Sequence, residues 1–353
     1  MFEITLTGSP YERGVQQGKA YNQELRKLAD AVPTWLGNMT PARVTEIQDR
    51  MVIFLRESFP EMISELEGIA FGSGLSFDTI CTVNFVSAIS ALNGCTNMIS
   101  LNAVPGPILA KTSDIGEDYK FYAIQKVHPE NGMAYLAVGW AGCLWAEVGI
   151  NAAGLAVGQS SGPTQIGQNG AGLPTLEYPR YILERCRNVN EAITFCKQTP
   201  MAGKGLNIAV VDAAGEGVII EKSGTAIAIR YPTLEKSNKG LGAAQESVYC
   251  ANVFLENEMQ GFKELSIPDL PSLTDNSLLR LEIVDRFLKQ NPNPTIQSIE
   301  TLLQTPLLGQ GLCQQEYTPL LTHFAYILLP QQRKMILYEG VAEKKLVQKE
   351  YFI

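Results

Sequence analysis

Histidine is nearly missing: His128 and His323 are the only two in 353 residues. No H-E-x-x-H pair and no clustered cysteine-histidine spacing occurs, so no metal site is expected. The seven cysteines are odd in number and contain no C-x-x-C pair. That argues against a disulfide framework and a zinc ribbon, and points to a reducing compartment. No stretch approaches the roughly 18 apolar residues of a membrane span. The opening Met1-Phe2-Glu3-Ile4-Thr5-Leu6 has neither the basic nor the apolar region of a secretory signal. A soluble cytoplasmic protein without membrane contact is expected. A formal charge of -8 and the lack of a basic stripe disfavour a nucleic-acid partner. No glycine-rich phosphate loop is present either, so no cofactor is expected.

Residues 1 to 92 read as mostly helical. Ser9, Pro10 and Glu12 form a cap, first-turn proline and capping-box glutamate. Gly14 and Gly18 cost helix propensity, which their use in close packing would explain. Thr40-Pro41 repeats the cap-then-proline start, and Ser76 with Asp78 opens a further helix. Beyond Cys95 the periodicity becomes that of short strands, among them 107 to 112, 133 to 140, 144 to 150, 154 to 157, 206 to 211, 217 to 221, 225 to 229, 323 to 329 and 335 to 338. Residues 212 to 216 and 330 to 333 read as hairpin loops, and 126 to 132 as a hairpin-like turn. Helical blocks at 175 to 197, broken near Asn188, and 276 to 304, broken at 291 to 294, interrupt the strands. Runs of strands and runs of helices predict antiparallel sheets covered by helices rather than a βαβ repeat. With no linker and no internal repeat, one compact domain is expected.

The tetrapeptide Asn93-Gly94-Cys95-Thr96 lies between the helical region and the first strand-like run. If the Gly94-Cys95 bond is cut, Cys95 gains a free α-amine with a reference pKa of about 7.7 to 8, a base within reach of its own thiol. Histidine is then unnecessary. The plain alternative is an Asn-Gly turn followed by a cysteine that packs as a small hydrophobe.

Several blocks in order resemble one family. They are Gly8-Ser9-Pro10-Tyr11-Glu12-Arg13-Gly14 with Gly18, Glu65 to Ala70 with Gly72-Ser73-Gly74, Phe77-Asp78 through Asn84, Asn93 to Thr96, and Gly149 to Ala156. Together they are similar to the isopenicillin-N acyltransferase (acyl-coenzyme A:6-aminopenicillanic acid acyltransferase) family of N-terminal-nucleophile hydrolases. The resemblance implies an α+β fold, a four-layer αββα sandwich with two packed, mostly antiparallel sheets. It also implies self-cleavage at Gly94-Cys95; Thr96 could hold the processing loop by a side-chain hydrogen bond or simply start a strand. Segment 1 to 94 would stay associated with the catalytic part, 95 to 353, as one compact domain.

By the same resemblance Cys95 is the nucleophile, Asp114 orients its amine or thiol, and Asn252 donates to an oxyanion. A turn or strand-end role remains open for Asp114, and a helix-cap or turn role for Asn252. Gln314 falls where the family carries an arginine and supplies no fixed charge, which argues against penicillin precursors as substrates. Trp140 and Trp145 could stack on a substrate or pack in the core. Cys313 could line the pocket or pack in the core. Arg180 and Arg280 resemble family arginines, although interhelical pairing explains them equally.

The expected activity is hydrolysis or transfer of an acyl group at a linear carbon-nitrogen amide of a small molecule, through a Cys95 thioester, with acyl-coenzyme A able to enter as donor. Two alternatives stand beside it. One is an uncut cysteine-histidine hydrolase using His128 or His323, and the other is a non-catalytic binding protein on the same scaffold.

Overall fold

The computed structural model describes residues 1–37, 39–90, 94–116, 120–162, 171–203, 205–232, 241–259, 273–315, 320–343 and 346–353. Asn93, the first residue of the Asn93–Thr96 signature, lies outside them.

The chain opens with β1 (Phe2–Gly8), then α1 (Pro10–Ala20), α2 (Asn22–Leu36), α3 (Pro41–Ser58), α4 (Pro60–Ser73) and α5 (Phe77–Ser90). Ser9 caps α1 as expected: its hydroxyl accepts from Glu12 N, and the Glu12 carboxylate accepts from Ser9 N at 2.8 Å. The glycines of α1 serve its contact with α4. A Cβ on Gly14 would stand 2.1 Å from Glu65 O, and one on Gly18 2.3 Å from Ile69 O. Gly68 and Gly72 answer from α4, where a Cβ would meet Tyr11 O at 2.2 Å and Val15 O at 2.5 Å.

Next come β2 (Gly94–Ser100), β3 (Ile108–Ile115), β4 (Tyr122–Pro129), β5 (Tyr135–Trp140), β6 (Val148–Asn151), β7 (Ala156–Gly162) and β8 (Leu173–Pro174). After them lie α6 (Tyr178–Arg185), α7 (Val189–Gln198), β9 (Met201–Ala202), β10 (Gly205–Val211), β11 (Gly217–Lys222), β12 (Ile227–Arg230), β13 (Ala243–Ala244) and β14 (Ser247–Cys250). The chain ends with α8 (Leu273–Gln290), α9 (Ile296–Gln304), β15 (Leu321–Leu329), β16 (Lys334–Glu339) and β17 (Val347–Phe352). The first helical block breaks where expected, with the Asn188 side chain accepting from Glu191 N at 2.9 Å to start α7.

An eight-stranded sheet runs β1-β4-β5-β6-β7-β10-β11-β12, and a seven-stranded sheet runs β13-β14-β2-β3-β15-β16-β17. Every pairing in them is antiparallel except β1 with β4. The sheets face each other through a shared core that includes Ile99, Leu109 and Tyr326 on one side and Val157 and Ile208 on the other. Helices α6 and α7 cover the eight-stranded sheet, while α8 and α9 cover the seven-stranded one. The result is the expected αββα sandwich.

Three local expectations need correction. β1 precedes the first helix. β4 runs to Pro129, so His128 stands on a strand rather than in a turn. The first strand of the second part begins at Gly94, so Cys95 lies inside β2 and not ahead of it. Among the described residues, no helix is long and apolar enough to cross a membrane.

Candidate active site

Cys95 is the second residue of β2 and is wholly enclosed. β2 pairs with β3 so that Gly94 opposes Asp114, Cys95 opposes Ser113, and Asn97 opposes Lys111. The Cys95 main chain is clamped on both sides. Its nitrogen donates to Asn252 Oδ1 at 2.9 Å, and its carbonyl accepts from Arg280 at 2.7 Å and from Ser160 Oγ at 3.2 Å. Thr96 Oγ1 accepts from the same Arg280 nitrogen at 2.8 Å.

The thiol meets charge that the linear sequence did not advertise. Burial pushes the Cys95 thiol up to about 12, while the charge of the nearby Lys111 ammonium, which itself donates to Thr112 O at 3.1 Å, pulls the other way. Burial opposes the charge on Lys111 as well, but Cys95 and Glu147 outweigh it and raise its pKa. Lys111 Nζ stands 3.2 Å from Glu147 Oε1, with both side chains fully enclosed. Glu147 also accepts from Ser113 Oγ and, at 2.6 Å, from the Tyr122 hydroxyl. A paired cation is therefore held against the thiol, where low dielectric strengthens its field.

Asp114 lies beside the other atom set, at Gly94. A Cβ on Gly94 would stand 3.3 Å from Asp114 Cβ and 3.3 Å from Gln314 Nε2. Burial raises the Asp114 carboxyl to about 6, against the pull of Arg280, Thr322, Gln314 and Lys111. Thr322 Oγ1 donates to Asp114 Oδ1 at 2.6 Å, Gln314 Nε2 donates to Oδ2, and Arg280 lies 3.7 Å from Oδ2.

Arg280 can only donate, which fixes the polarity of its amide neighbours. Its Nε donates to Asn276 Oδ1 at 2.9 Å, and Asn276 Nδ2 donates to Gln314 Oε1 at 2.8 Å. Gln314 is left with its amino group toward Asp114. The fixed positive charge missing at position 314 is therefore present in this network on Arg280, contributed by α8. Arg280 also donates to Asn252 Oδ1 at 2.9 Å. Asn252 consequently turns its oxygen to Cys95 N, while Nδ2, the atom an oxyanion would need, donates to Ser161 O at 3.0 Å and Ser161 Oγ at 3.1 Å.

Gly94, Cys95, Thr96, Asp114, Asn252 and Gln314 thus meet in one network. Trp140 and Trp145 do not join it directly. They are buried edge to face at 5.2 Å, and Trp145 packs against Tyr122 at 5.9 Å, one ring away from Glu147. Cys313 lies in the core that includes residues of α8 and α9. Arg180 pairs with Glu65 and Tyr135 elsewhere. His128 is exposed, and His323 Nδ1 sits 2.7 Å from Glu343 Oε1.

Lys111, Glu147, Ser160 and Arg280 are the groups that sequence reading missed or left undecided. Glu147 did leave a signal, being the only charged residue between Glu130 and Glu177. Lys111 is a charge inside a strand whose eight residues are all buried.

The site thus lies in one of two facing sheets between helical layers. The chain belongs to the acyl-coenzyme A:6-aminopenicillanic acid acyl-transferase family, whose sequence profile matches residues 102–318, more than half of it. Among curated proteins it is similar to protein dcd1A of Dictyostelium discoideum, 25% identical over 185 residues, and the match spans 42% of either chain. Among solved structures it is similar to a mutant conjugated bile acid hydrolase of Clostridium perfringens, with a TM-score of 0.49 and 12% identity over 73% of this chain and 92% of that one. It is also similar to a Caenorhabditis elegans ortholog of N-acylethanolamine-hydrolyzing acid amidase, with a TM-score of 0.47 and 14% identity over 73% and 100%.

Proposed function

We propose that this protein is a cysteine N-terminal-nucleophile amidohydrolase or acyltransferase that matures by cutting its own Gly94-Cys95 bond. The observation that carries this reading is Cys95 at the head of β2, with its thiol against Lys111 and its nitrogen held by Asn252.

In the first reaction the Cys95 thiol gives up its proton and attacks the Gly94 carbonyl. The carbon-nitrogen bond breaks, the Cys95 nitrogen takes the proton, and a thioester joins Gly94 to Cys95. Water hydrolyses the thioester, leaving a Gly94 carboxylate and a free Cys95 amine. Asp114 and Gln314 pack on Gly94 and fix the carbonyl to be attacked. Thr96 is tied to Arg280, which steadies the strand beside the cut.

In the mature enzyme the new α-amine serves as base. The thiol attacks a small-molecule amide, the leaving amine takes the proton, and the acyl group rests on sulfur until water or an acceptor amine removes it. Lys111 favours the thiolate, and Asn252 Oδ1 keeps the amine aligned. Acyl-coenzyme A fits the same scheme as an alternative acyl donor. Seven unpaired cysteines support a reducing, cytoplasmic setting.

Denaturing intact-mass measurement on fresh wild type beside Cys95→Ala tests the reading. Two species, ending at Gly94 and beginning at Cys95, are expected in wild type alone. A single full-length mass in both after long incubation would overturn self-cleavage.

A further inference from the structure

Gly94 opens β2, is buried, and has a backbone outside the left-handed region that favours glycine. Space, not conformation, is what asks for glycine here. A glycine within a strand weakens it and often marks a place where another group comes close. A Cβ on Gly94 would stand 3.3 Å from Asp114 Cβ, 3.3 Å from Gln314 Nε2 and 3.5 Å from Leu320 Cδ1. The first two separations are tighter than a carbon ordinarily keeps.

Neither side of this contact yields easily. Asp114 accepts from Thr322 Oγ1 at 2.6 Å and from Gln314 Nε2, while Gln314 Oε1 accepts from Asn276 Nδ2 at 2.8 Å. The Gln314 main chain is tied to Thr322 twice, its nitrogen donating to Oγ1 at 2.8 Å and its oxygen accepting from Thr322 N at 3.0 Å. On the strand side, Asn252, Arg280 and Ser160 clamp the Cys95 main chain. A side chain at position 94 would therefore displace the Gly94 carbonyl from its place beside the thiol.

The chemistry gives this wall a second use. The thioester formed in self-cleavage is itself an acyl-enzyme, whose acyl group is Gly94 carried on the Cys95 sulfur beside the new α-amine. A substrate's acyl group comes to the same sulfur beside the same amine. Asp114, Gln314 and Leu320 all follow the cut, so the wall stays with the nucleophile in the mature enzyme. We propose that these three side chains form the acyl subsite, shaped on Gly94, and that it takes acyl groups with an α-methylene and refuses a carbon branch on the L side of the α-carbon. The assignment rests on the function proposed above. The substrate class that follows is amides of glycine derivatives and straight-chain acids, with L-aminoacyl groups that carry a side chain excluded. The Gly94 carboxylate is the first product in this subsite and has to leave it before a substrate enters.

Residue 94 is the first acyl group, so the cut is itself an assay. Pulse-labelled cell-free synthesis, with whole chain and pieces separated over time, gives its rate. Gly94→Ala is expected to slow the cut about tenfold or more, since small misplacements of reacting atoms are costly. Combined with Gln314→Ala, the alanine penalty should shrink about threefold or more, a comparison in which the separate effect of position 314 cancels. If Gln314→Ala loses the cut or the parent unfolding midpoint, Leu320→Ala takes its place. On the mature enzyme, the 4-nitrophenyl esters of N-acetylglycine and N-acetyl-L-alanine probe the same wall. The thiol attacks the ester carbonyl, its proton passes to the α-amine, and 4-nitrophenolate leaves. The glycine ester should acylate about tenfold faster, after division by the ratio the two esters show with glutathione. Wild type that cuts while Gly94→Ala cuts equally fast, an undiminished penalty in the double variant, or equal acylation by both esters would overturn the subsite and leave the functional reading standing. A wild-type chain that stays whole would sink that reading and the subsite with it, so the two failures can be told apart.

Discussion

An enclosed ammonium helps a thiol only while its counter-charge is kept, and Lys111 keeps its counter-charge through Glu147 at 3.2 Å. Lys111→Met would leave Glu147 without its cation inside the protein, a change that costs about 3–5 kcal/mol. Adding Glu147→Gln should recover much of that loss. Urea unfolding midpoints check both, and an unshifted midpoint in Lys111→Met would refute the pairing. Asp114 gives a pH signature. Its carboxyl is raised from 3.8 to about 6 in the fold, so the protonated form is the stabilising one. Its contribution is complete below pH 4 and is lost as pH rises through about 6. Asp114→Asn should flatten the fall in stability between pH 4 and 7, and an unchanged slope would count against the shift. Cys95, Asp114, Asn252 and Gln314 were legible as candidates through the family resemblance. Lys111 was not, since only the β2–β3 register places it over the thiol. Nor does composition tell which end of the Asn252 amide faces Cys95; Arg280, arriving from α8, decides that.

Among the elements, the crossing of α1 and α4 shows a pattern whose meaning could be read early. Gly14 and Gly18 looked costly in a helix, and their opposite numbers Gly68 and Gly72 complete a contact in which backbones touch. Gly68→Ala should therefore destabilise by about 1–3 kcal/mol, although alanine is the better helix former by about 1 kcal/mol. Thermal melting with matched circular dichroism checks it, and a gain in stability would show that the helices can part cheaply. Helix starts were legible because caps and first-turn prolines act locally. Several strands were not. β17 is largely exposed on both faces and β1 buries only Leu6, so neither shows a clean alternation. β4 buries both faces and still carries Gln125 and Lys126, which break the apolar run that would mark it.

For the whole molecule, residues before the proposed cut are bound into the rest at several points. β1 adds seven paired residues to β4, and Arg13 and Glu65 share a buried ion network with Arg180 and Glu184. The two pieces that separate in denaturant should therefore travel as one particle in native size exclusion, and separate elution would refute their association. Antiparallel sheets under helices were legible from the order of strands and helices, and the four-layer sandwich from the family resemblance, whereas the pairing of the two sheets over Cys95 emerges only in three dimensions. All seven cysteines are enclosed. Apart from the proposed nucleophile Cys95, the native surface therefore offers no thiol to alkylate, and the protein carries a silent clock: each of the other six that does react dates an opening at a known address, Cys81 in α5, Cys196 in α7 or Cys313 beyond α9.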